Sequence, residues 1–279
     1  MTGGAMGAVG AGGPPHPAAA AFDGMAERYD RLFTHSVIGR AQREAVRSLA
    51  AAVFALGDHV LELNCGTGED ALFLSRLGIA VTACDASAGM IREAEGRRRL
   101  EAPQAAIEFR VLATENLAEL RAPFMFDGVL SNFAGLNCVT DLAPVARQLS
   151  LCVRPGAPIL LCVFTRVCLW EILWFLSQGQ LRKAFRRFPG RSTVAFGEVA
   201  LTVRYPTVRR LRRLFSPAFA LRSITGVGVA VPPSYLEPWA RRHPKVLRSL
   251  LRLDRIVRHW PGFRVLGDHV LLRLEPARP

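Results

Sequence analysis

The sequence predicts an α/β fold with a doubly wound, mostly parallel sheet and helices on both of its faces. Short apolar segments alternate with helical segments between residues 59 and 164, a pattern typical of sheets built from strand-helix-strand units. A glycine-rich turn, Gly66 to Gly68, follows the first apolar segment. Folds of this class place ligand-binding turns at such positions.

Each element of the sheet is predicted from its own segment. Residues 21–56 have a helical pattern with a polar break at His35 and Ser36. The predicted strands are 59–64, 80–85, 107–112, 126–132 and 158–164. One predicted helix follows the first strand and ends near residue 77, and two others occupy 88–100 and 142–152. Four loops follow these strands at 64–68, 85, 113–115 and 131–132. They are expected to meet at one edge of the sheet and form one ligand site.

Beyond Thr165 the pattern changes. The predicted elements are an apolar segment at 167–176, an amphipathic helix at 181–188, a hairpin over 193–205 turning near Gly197, a strand at 219–231, a helix at 244–259 and a last strand at 263–275. The chain is therefore divided into a disordered leader at 1–20, a ligand-binding core with an N-terminal lid helix at 21–165, and lid insertions with the last strands of the same domain at 166–279.

Charge and cysteine content limit the class of protein. Residues 1–165 contain 14 Arg and Lys against 17 Asp and Glu, whereas residues 166–279 contain 22 against 6. The basic half favours an anionic surface or substrate, unless it reflects an arginine-rich genome. Six cysteines without a Cys-x-x-Cys pair and no secretory signal indicate a cytoplasmic protein with reduced thiols. No residue spacing typical of a metal site occurs, so no metal is predicted.

Two ligands compete for the glycine-rich turn. Residues 66–71 fit the dinucleotide fingerprint Gly-x-Gly-x-x-Gly/Ala, with Asp85 at a suitable distance. That fingerprint places a pyrophosphate at the helix N-terminus, and here Glu62, Glu69 and Asp70 surround the turn. Three carboxylates repel a pyrophosphate but tolerate a cation. S-adenosylmethionine carries a sulfonium, an ammonium and a ribose diol that Asp85 can bind.

Four segments resemble motifs of one family. They are "VLELNCGTGEDALFLS", "VTACDASAGMI", "FDGVLSN" and "VRPGAPILLCVF". As a set covering residues 22–165, they are similar to the class I S-adenosylmethionine-dependent methyltransferases, most closely the small-molecule group of ubiquinone and menaquinone biosynthesis. The resemblance implies a Rossmann-like sheet of seven strands with an antiparallel last strand at 263–275, and S-adenosylmethionine as the cofactor.

The resemblance also implies the residues that bind this cofactor. They are Tyr29, Glu62, Asn64, Cys65, Gly66, Gly68, Asp85, Ala86, Met90, Thr114, Glu115 and Ser131. Two positions depart from the family pattern. Asn64 replaces the first glycine of the turn, and Ala113 stands where relatives often carry an Asp that contacts the adenine amine. Thr114 or Glu115 is expected to take over that contact.

Two of these residues have simpler alternative roles. Tyr29 lies in "ERYD", which resembles the segment that covers the cofactor in relatives, although ordinary helix packing explains it equally well. Met90 is expected to pack on the adenine, with a place in the core as the alternative.

Methyl transfer displaces a sulfonium methyl in line, so it needs proximity and an acceptor freed of its proton. His35 and His269 are the candidate bases, and His35 is preferred because it follows the lid. A structural role is the alternative for both. Asp268 precedes His269, but adjacent residues of a strand point to opposite faces, which argues against an Asp–His dyad.

Together these features predict methyl transfer to a small, aromatic or lipid-like acceptor, at oxygen or carbon. An apolar wall for the acceptor is expected from five aromatic residues: Trp170, Trp174, Phe175, Tyr235 and Trp239. The cationic segment 181–188 predicts peripheral contact with an anionic membrane, with plain helix packing as the alternative. Two other functions stay open: an RNA methyltransferase or RNA-binding protein, disfavoured because no recognition motif occurs, and a non-catalytic partner subunit. The oligomeric state is not predicted.

Overall fold

The computed structural model describes residues 17–120, 123, 125–196, 199–216 and 218–277. The strands are β1 (His59–Leu63), β2 (Ala80–Asp85), β3 (Ile107–Val111), β4 (Gly128–Ser131), β5 (Ile159–Phe164), β6 (Arg191–Phe196), β7 (Val199–Arg204), β8 (Phe219–Val227) and β9 (His269–Pro276). The helices are α1 (Pro17–Asp23), α2 (Ala26–Tyr29), α3 (Val37–Val53), α4 (Glu69–Arg76), α5 (Ala88–Glu101), α6 (Leu142–Cys152), α7 (Leu169–Ser177), α8 (Leu181–Ala184), α9 (Val208–Phe215), α10 (Glu237–Arg242) and α11 (Pro244–Val257).

Seven of the strands form one sheet in the order β3-β2-β1-β4-β5-β9-β8. The first five strands are parallel, whereas β9 is antiparallel to both β5 and β8. The predicted fold class, the seven strands and the antiparallel strand near the C-terminus are therefore confirmed. The strand order reverses between β1 and β4, and ligands of doubly wound sheets bind outside the carboxyl ends of the strands at such a point.

Apolar side chains cover both faces of the sheet, as expected for parallel strands. Leu61 and Leu63 of β1 point to the layer that contains α6 and α9. Val60 points to the opposite layer, which contains α3 and α4. The central strands are thus fixed from both sides, so the loops at their carboxyl ends start from rigid positions.

Several helices begin at a polar cap that the sequence supplies. The Ser36 hydroxyl accepts a hydrogen bond from Gly39 N at the start of α3, and the Ser87 hydroxyl accepts one from Met90 N at the start of α5. Such caps satisfy amide groups that have no partner within the helix. They fix where these two helices start beside the sheet.

The structure corrects several predicted boundaries. The leader predicted for residues 1–20 is too long, because α1 begins at Pro17, a residue suited to the first turn of a helix. Helix α8 contains four residues instead of the eight predicted for 181–188. The last strand begins at His269, because Phe263–Val265 form a 3₁₀ turn. The predicted turn at Gly197 lies outside the described residues. Helices α9 and α10 were not predicted.

No described helix has both the length and the apolar character needed to cross a membrane.

Candidate functional site

A cleft of about 780 Å³ lies at the carboxyl ends of β1, β2 and β4. Ten of the twelve predicted cofactor-binding residues line it: Tyr29, Glu62, Asn64, Cys65, Gly66, Asp85, Ala86, Met90, Thr114 and Glu115. The other two, Gly68 and Ser131, lie behind the lining. Gly68, with a φ angle of 74°, is the N-cap of α4. The fully buried Ser131 donates a hydrogen bond to the side chain of Asn64. We call this cavity the cofactor cleft.

The carboxylate of Asp85 fixes the glycine-rich turn at the end of β2. One of its oxygens accepts a hydrogen bond from Gly66 N at 2.9 Å, and the other accepts one from Ser87 N at 2.9 Å. A carboxylate oxygen accepts more than one hydrogen bond. The side chain is therefore held in place in the lining of the cleft.

Asn64 adopts the left-handed backbone conformation that a glycine would adopt at the first motif position, with a φ angle of 55°. Asn tolerates this conformation better than most residues. Its side-chain oxygen accepts hydrogen bonds from the hydroxyls of Thr114 at 3.3 Å and Ser131 at 3.5 Å. A Cβ atom at Gly135 would lie 2.3 Å from Asn64 Cβ. The turn therefore requires glycine at 135, and no sequence motif indicates this pairing.

Two of the three carboxylates that argued against a pyrophosphate are neutralised by arginines. Glu69 pairs with Arg97 and also with Arg47, whose guanidinium lies 3.0 Å away. Asp70 pairs with Arg43 and with Arg47. Burial alone would raise the pKa of Asp70, but the two arginines hold it below its usual value. The repulsion argument therefore applies to Glu62 alone.

Glu62 is a buried carboxylate with an unused acceptor in the cleft. Its side chain is 2% exposed, and its Oε2 atom has no hydrogen-bond partner. Burial, followed by the charge of Asp70, raises the pKa of Glu62 well above its usual value. An unpaired buried carboxylate is unfavourable. A ligand with a positively charged N–H donor would relieve it.

A second cavity of about 890 Å³ adjoins the cofactor cleft, and we call it the acceptor pocket. Six residues line both cavities: Phe22, Tyr29, Arg43, Phe133, Gly135 and Cys138. The remaining lining residues are Phe33, Gly39, Gln42, Ala134, Phe164, Leu201, Val203, Ser234, Asp268 and His269. Most of this surface is apolar, so the pocket suits an aromatic or aliphatic ligand.

The wall between the two cavities contains aromatic rings and one guanidinium. The Tyr29 ring lies 5.1 Å from the Phe33 ring, and the Arg43 guanidinium lies 4.5 Å above the Phe133 ring. Burial raises the pKa of Tyr29 to about 12, so its phenol stays protonated. A ligand in either cavity would contact the same wall.

The loop after β4 carries backbone strain at this wall. Phe133 and Ala134 have φ angles of 48° and 61°, a conformation that is unfavourable for residues other than glycine. Asn132 stabilises the loop, because its side-chain oxygen accepts a hydrogen bond from Phe133 N and its amide donates one to Asp70. Such strain often occurs at ligand sites. The sequence indicated the loop but not that its residues line both cavities.

Of the two candidate bases, only His269 faces a cavity. His35 is exposed and lines neither cavity, so its position does not support the preference for it. His269 is buried, lines the acceptor pocket and stacks on Phe164 with ring centroids 4.4 Å apart. Its Nδ1 atom has no hydrogen-bond partner. Burial lowers the pKa of His269, which favours the neutral imidazole.

Asp268 and His269 lie on the same side of the chain, contrary to the sequence prediction. Strand β9 begins only at His269, so the alternation of a strand does not apply to Asp268. Their side chains approach to 3.5 Å between Asp268 Oδ2 and His269 Nδ1, beyond the range of a good hydrogen bond. Asp268 instead pairs with Arg187 at 2.7 Å.

Arg187 connects this region to α7. It is 4% exposed, and its guanidinium pairs with Glu171 at 2.9 Å as well as with Asp268. It also lies 5.1 Å from the centre of the Phe164 ring. The buried ions compensate each other and position the ring on which His269 stacks.

The five aromatic residues predicted to form the acceptor wall do not line the acceptor pocket. Trp170, Trp174 and Trp239 pack against a separate cluster that includes Ile38 and Leu247. Phe175 stacks on Tyr235 with ring centroids 5.5 Å apart. The alternative of mutual packing therefore describes these residues, and the pocket takes its aromatic lining from elsewhere in the chain.

Among the described residues, no group of three or more His, Cys, Asp or Glu side chains is arranged to hold a metal ion.

Comparison with known proteins gives a consistent result. Residues 60–156 match the model of a methyltransferase domain. The demethylmenaquinone methyltransferase of Thermobifida fusca is 32% identical over 153 residues, which cover 55% of this chain and 63% of that protein. The chain therefore spans less than two thirds of this relative.

Solved structures show the fold that this chain shares with other proteins. An S-adenosylmethionine-dependent methyltransferase from Mesorhizobium loti aligns with a TM-score of 0.54 at 15% identity, over 84% of this chain and 97% of that chain. The [4+2]-cyclase SpnF aligns with a TM-score of 0.56 at 14% identity, over 83% and 80%. Since one fold serves both a methyltransferase and a cyclase, these likenesses indicate architecture alone.

Proposed function

We propose that this protein methylates an aromatic or lipid-like acceptor, because residues 60–156 match the model of a methyltransferase domain. The observation that carries the proposal is the contact between the two cavities. The cofactor cleft and the acceptor pocket share a wall of six residues, described above. A methyl donor in the first and an acceptor in the second would contact the same residues and so lie close together, and proximity is the main requirement of this reaction.

The residues of the cofactor cleft fit S-adenosylmethionine. Bound there, it supplies an electrophilic methyl group on a sulfonium. The unpaired Glu62 carboxylate would bind the amino group of its methionine part, and Asp85 would bind the ribose hydroxyls. Thr114 and Glu115 begin the 3₁₀ helix that follows β3 and would contact the adenine. Met90 is both buried and part of the lining, so it would pack against the same base.

The acceptor pocket supports an apolar acceptor with at least one ring. Its lining rings, including Phe22, Phe133 and Phe164, offer stacking surfaces. The relative from Thermobifida fusca is named for demethylmenaquinone, an aromatic lipid. We therefore propose the reduced form of demethylmenaquinone or a similar hydroxylated ring as the first acceptor to test, methylated at a ring carbon or a hydroxyl oxygen.

His269 is the proposed base for the acceptor. Methylation would replace one proton of the acceptor by the methyl group that bound S-adenosylmethionine supplies, so the acceptor must lose a proton. The neutral His269 imidazole lines the pocket and would take that proton. Asp268 and Arg187 would act as positioning residues around it.

A cytoplasmic location completes the proposal. The six cysteines are unpaired thiols, five of them buried. Unpaired thiols are typical of a reducing compartment. Neither RNA binding nor a non-catalytic role gains support from a specific contact, and both become outcomes of the test below.

The first experiment is a calorimetric titration with S-adenosylmethionine and, separately, with a nicotinamide dinucleotide. We expect the protein to bind S-adenosylmethionine and Asp85→Ala to bind it at least tenfold more weakly, because hydrogen bonds to a charged group contribute about 1.5–3 kcal/mol. Binding of the dinucleotide alone would overturn the cofactor assignment.

The second experiment is a transfer assay with methyl-labelled S-adenosylmethionine and reduced demethylmenaquinone. A product heavier by one methyl group supports the proposal, and its NMR spectrum identifies the methylated atom. RNA is the comparison acceptor. Transfer to RNA alone, or binding of the cofactor without transfer to any acceptor, would contradict the proposed function and favour one of the other two roles.

A further inference from the structure

We infer that an exposed apolar and basic surface beside the acceptor pocket docks onto an anionic lipid membrane. The inference rests on the proposed function, because a lipid-like acceptor resides in a membrane. We call it the docking surface and define it by seven residues: Leu176, Leu181, Arg182, Lys183, Phe185, Phe188 and Tyr235.

Large apolar side chains are unusually exposed here. Leu181 is 62% exposed, Phe185 41% and Phe188 48%. The rings of Phe185 and Phe188 pack edge to face at 5.3 Å, so they form one apolar projection. Grouped exposure of this kind indicates an interaction site more than ordinary surface does.

All charged residues in the segment 172–197, which contains most of the docking surface, are basic. No Asp or Glu occurs between Glu171 and Glu198, whereas five Arg and Lys do. Arg186 and Arg187 are paired with Glu171. Among the ion pairs of the described residues, none includes Arg182 or Lys183.

Lys183 and Arg182 therefore suit an anionic partner. Each basic residue near an anionic bilayer contributes about 1 kcal/mol of attraction. A second copy of this chain would bring two basic surfaces together, which the same electrostatics disfavours.

The docking surface is connected to the acceptor pocket through direct contacts. Ser234 lines the pocket, and the next residue, Tyr235, stacks on Phe175. Lys183 Nζ lies 5.6 Å from the centre of the Phe175 ring. A membrane seated on this surface would thus lie next to one wall of the pocket, and an acceptor could leave the bilayer without crossing bulk water.

The test is flotation of the full-length protein with vesicles. One set contains phosphatidylcholine only, and the other contains phosphatidylcholine mixed with phosphatidylglycerol. We expect the protein to float with the anionic set alone. The variants Leu181→Ser/Phe185→Ser and Arg182→Glu/Lys183→Glu should each reduce the bound fraction about tenfold or more, given the apolar area and charge removed.

Two matched controls lie elsewhere on the chain. Leu100, on α5, is 87% exposed, so Leu100→Ser removes an exposed leucine away from the surface. Arg209→Glu/Arg213→Glu reverses two exposed charges on α9. Both controls should float like the unchanged protein. If the controls and the docking-surface variants lose the same fraction of floated protein, attraction is not specific to this surface and the inference is overturned. Flotation with vesicles of phosphatidylcholine alone would also overturn it.

Two further measurements separate this inference from the proposed function. The docking-surface variants should keep S-adenosylmethionine affinity by calorimetry and should still methylate an acceptor dispersed in detergent, which also shows that they fold. Intact transfer without flotation of the unchanged protein would overturn the docking surface only. Flotation without transfer to any acceptor would overturn the proposed function only. A dimer that the variants abolish, with no flotation, would assign the surface to a second copy.

Discussion

The cofactor cleft and the acceptor pocket share a wall but are built in different ways. Most polar residues of the cleft lie at the carboxyl ends of β1 and β2 or in the segments that directly follow β1 and β3. The acceptor pocket draws its lining from Phe22 near the described N-terminus, from β5 and β7, and from His269 near the C-terminus. The cleft therefore depends on local motifs, whereas the pocket depends on how distant segments pack.

The two cavities also differ in where their ion pairs lie. In the cleft, Arg43 and Arg47 neutralise the buried Asp70, and both Arg43 and Asp70 line the cavity itself. Near the acceptor pocket, the buried Arg187 pairs with Glu171 and Asp268 without lining the pocket. A change in the first group should alter ligand affinity as well as stability, whereas a change in the second should mainly alter stability. The predictions below test that contrast.

The largest effect is expected for Arg187→Met. It leaves Asp268 buried without its ionic partner and removes one of the two arginines that pair with Glu171. The free energy of unfolding should therefore fall by about 3–5 kcal/mol. Urea unfolding measures this change. The control Arg182→Met alters an exposed arginine and should stay within about 0.5 kcal/mol. A loss below about 1 kcal/mol for Arg187→Met would contradict a structural role for the buried network.

The next effect is expected for His269→Gln, which should lower kcat for methyl transfer about 100-fold and leave S-adenosylmethionine affinity unchanged. Because burial lowers the pKa of His269, the imidazole gains a proton only below its usual pKa of about 6.5. Activity should therefore be constant above that pH and fall as the pH drops through the lowered value.

A pH–rate profile of His269→Gln checks the assignment, since the variant should lose this acid limb. His35→Gln, at the exposed candidate, is the matched control and should keep both rate and profile. An unchanged acid limb in His269→Gln would assign the titration to another group.

Glu62→Gln should have a smaller effect on binding and an opposite effect on stability. Loss of the charge should weaken the binding of S-adenosylmethionine about tenfold. The folded pKa of Glu62 is raised, so ionisation destabilises the folded protein as the pH rises above about 4.3, the usual value for Glu. The variant should thus be more stable than the unchanged protein at about pH 7 by about 1–2 kcal/mol, and equal to it in acid.

Calorimetry and unfolding at several pH values measure both effects of Glu62→Gln. The control Glu69→Gln removes a carboxylate that is paired with arginines, so it should lose stability at neutral pH where Glu62→Gln gains it. The same sign in both variants would show that the missing partner of Glu62 has no consequence.

The smallest effect compares two helix caps. Ser36→Ala and Ser87→Ala should each cost about 1 kcal/mol of unfolding free energy. Ser87 also donates a hydrogen bond to Asp23 of α1 at 2.6 Å, and α1 carries part of the cleft lining. Only Ser87→Ala is therefore expected to weaken the binding of S-adenosylmethionine, by a few-fold as measured by calorimetry. Equal weakening by Ser36→Ala would mean that α1 is not held in place through Ser87.

The cofactor side was accessible from the sequence because its information is local. The glycine-rich turn and Asp85 lie close to the strands that position them, and burial of a parallel strand leaves little freedom for the loop that follows. The contact between Asn64 and Gly135 is an exception, since residues 71 positions apart in the chain meet across the switch point. No periodicity or motif reports such a contact.

The acceptor side was decided by tertiary structure. Trp170 and Phe164 are both large aromatic residues in apolar segments, and the sequence offers no means to tell which of them lines the acceptor pocket. The structure packs Trp170 against α10 and α11 and places Phe164 in the acceptor pocket. The same holds for Asp268 and His269, because one residue outside the strand is enough to abolish the alternation of side chains. The sequence thus determined the sheet and most of the cofactor cleft, whereas packing between distant segments decided the acceptor pocket, because the hydrophobic effect stabilises burial without specifying direction.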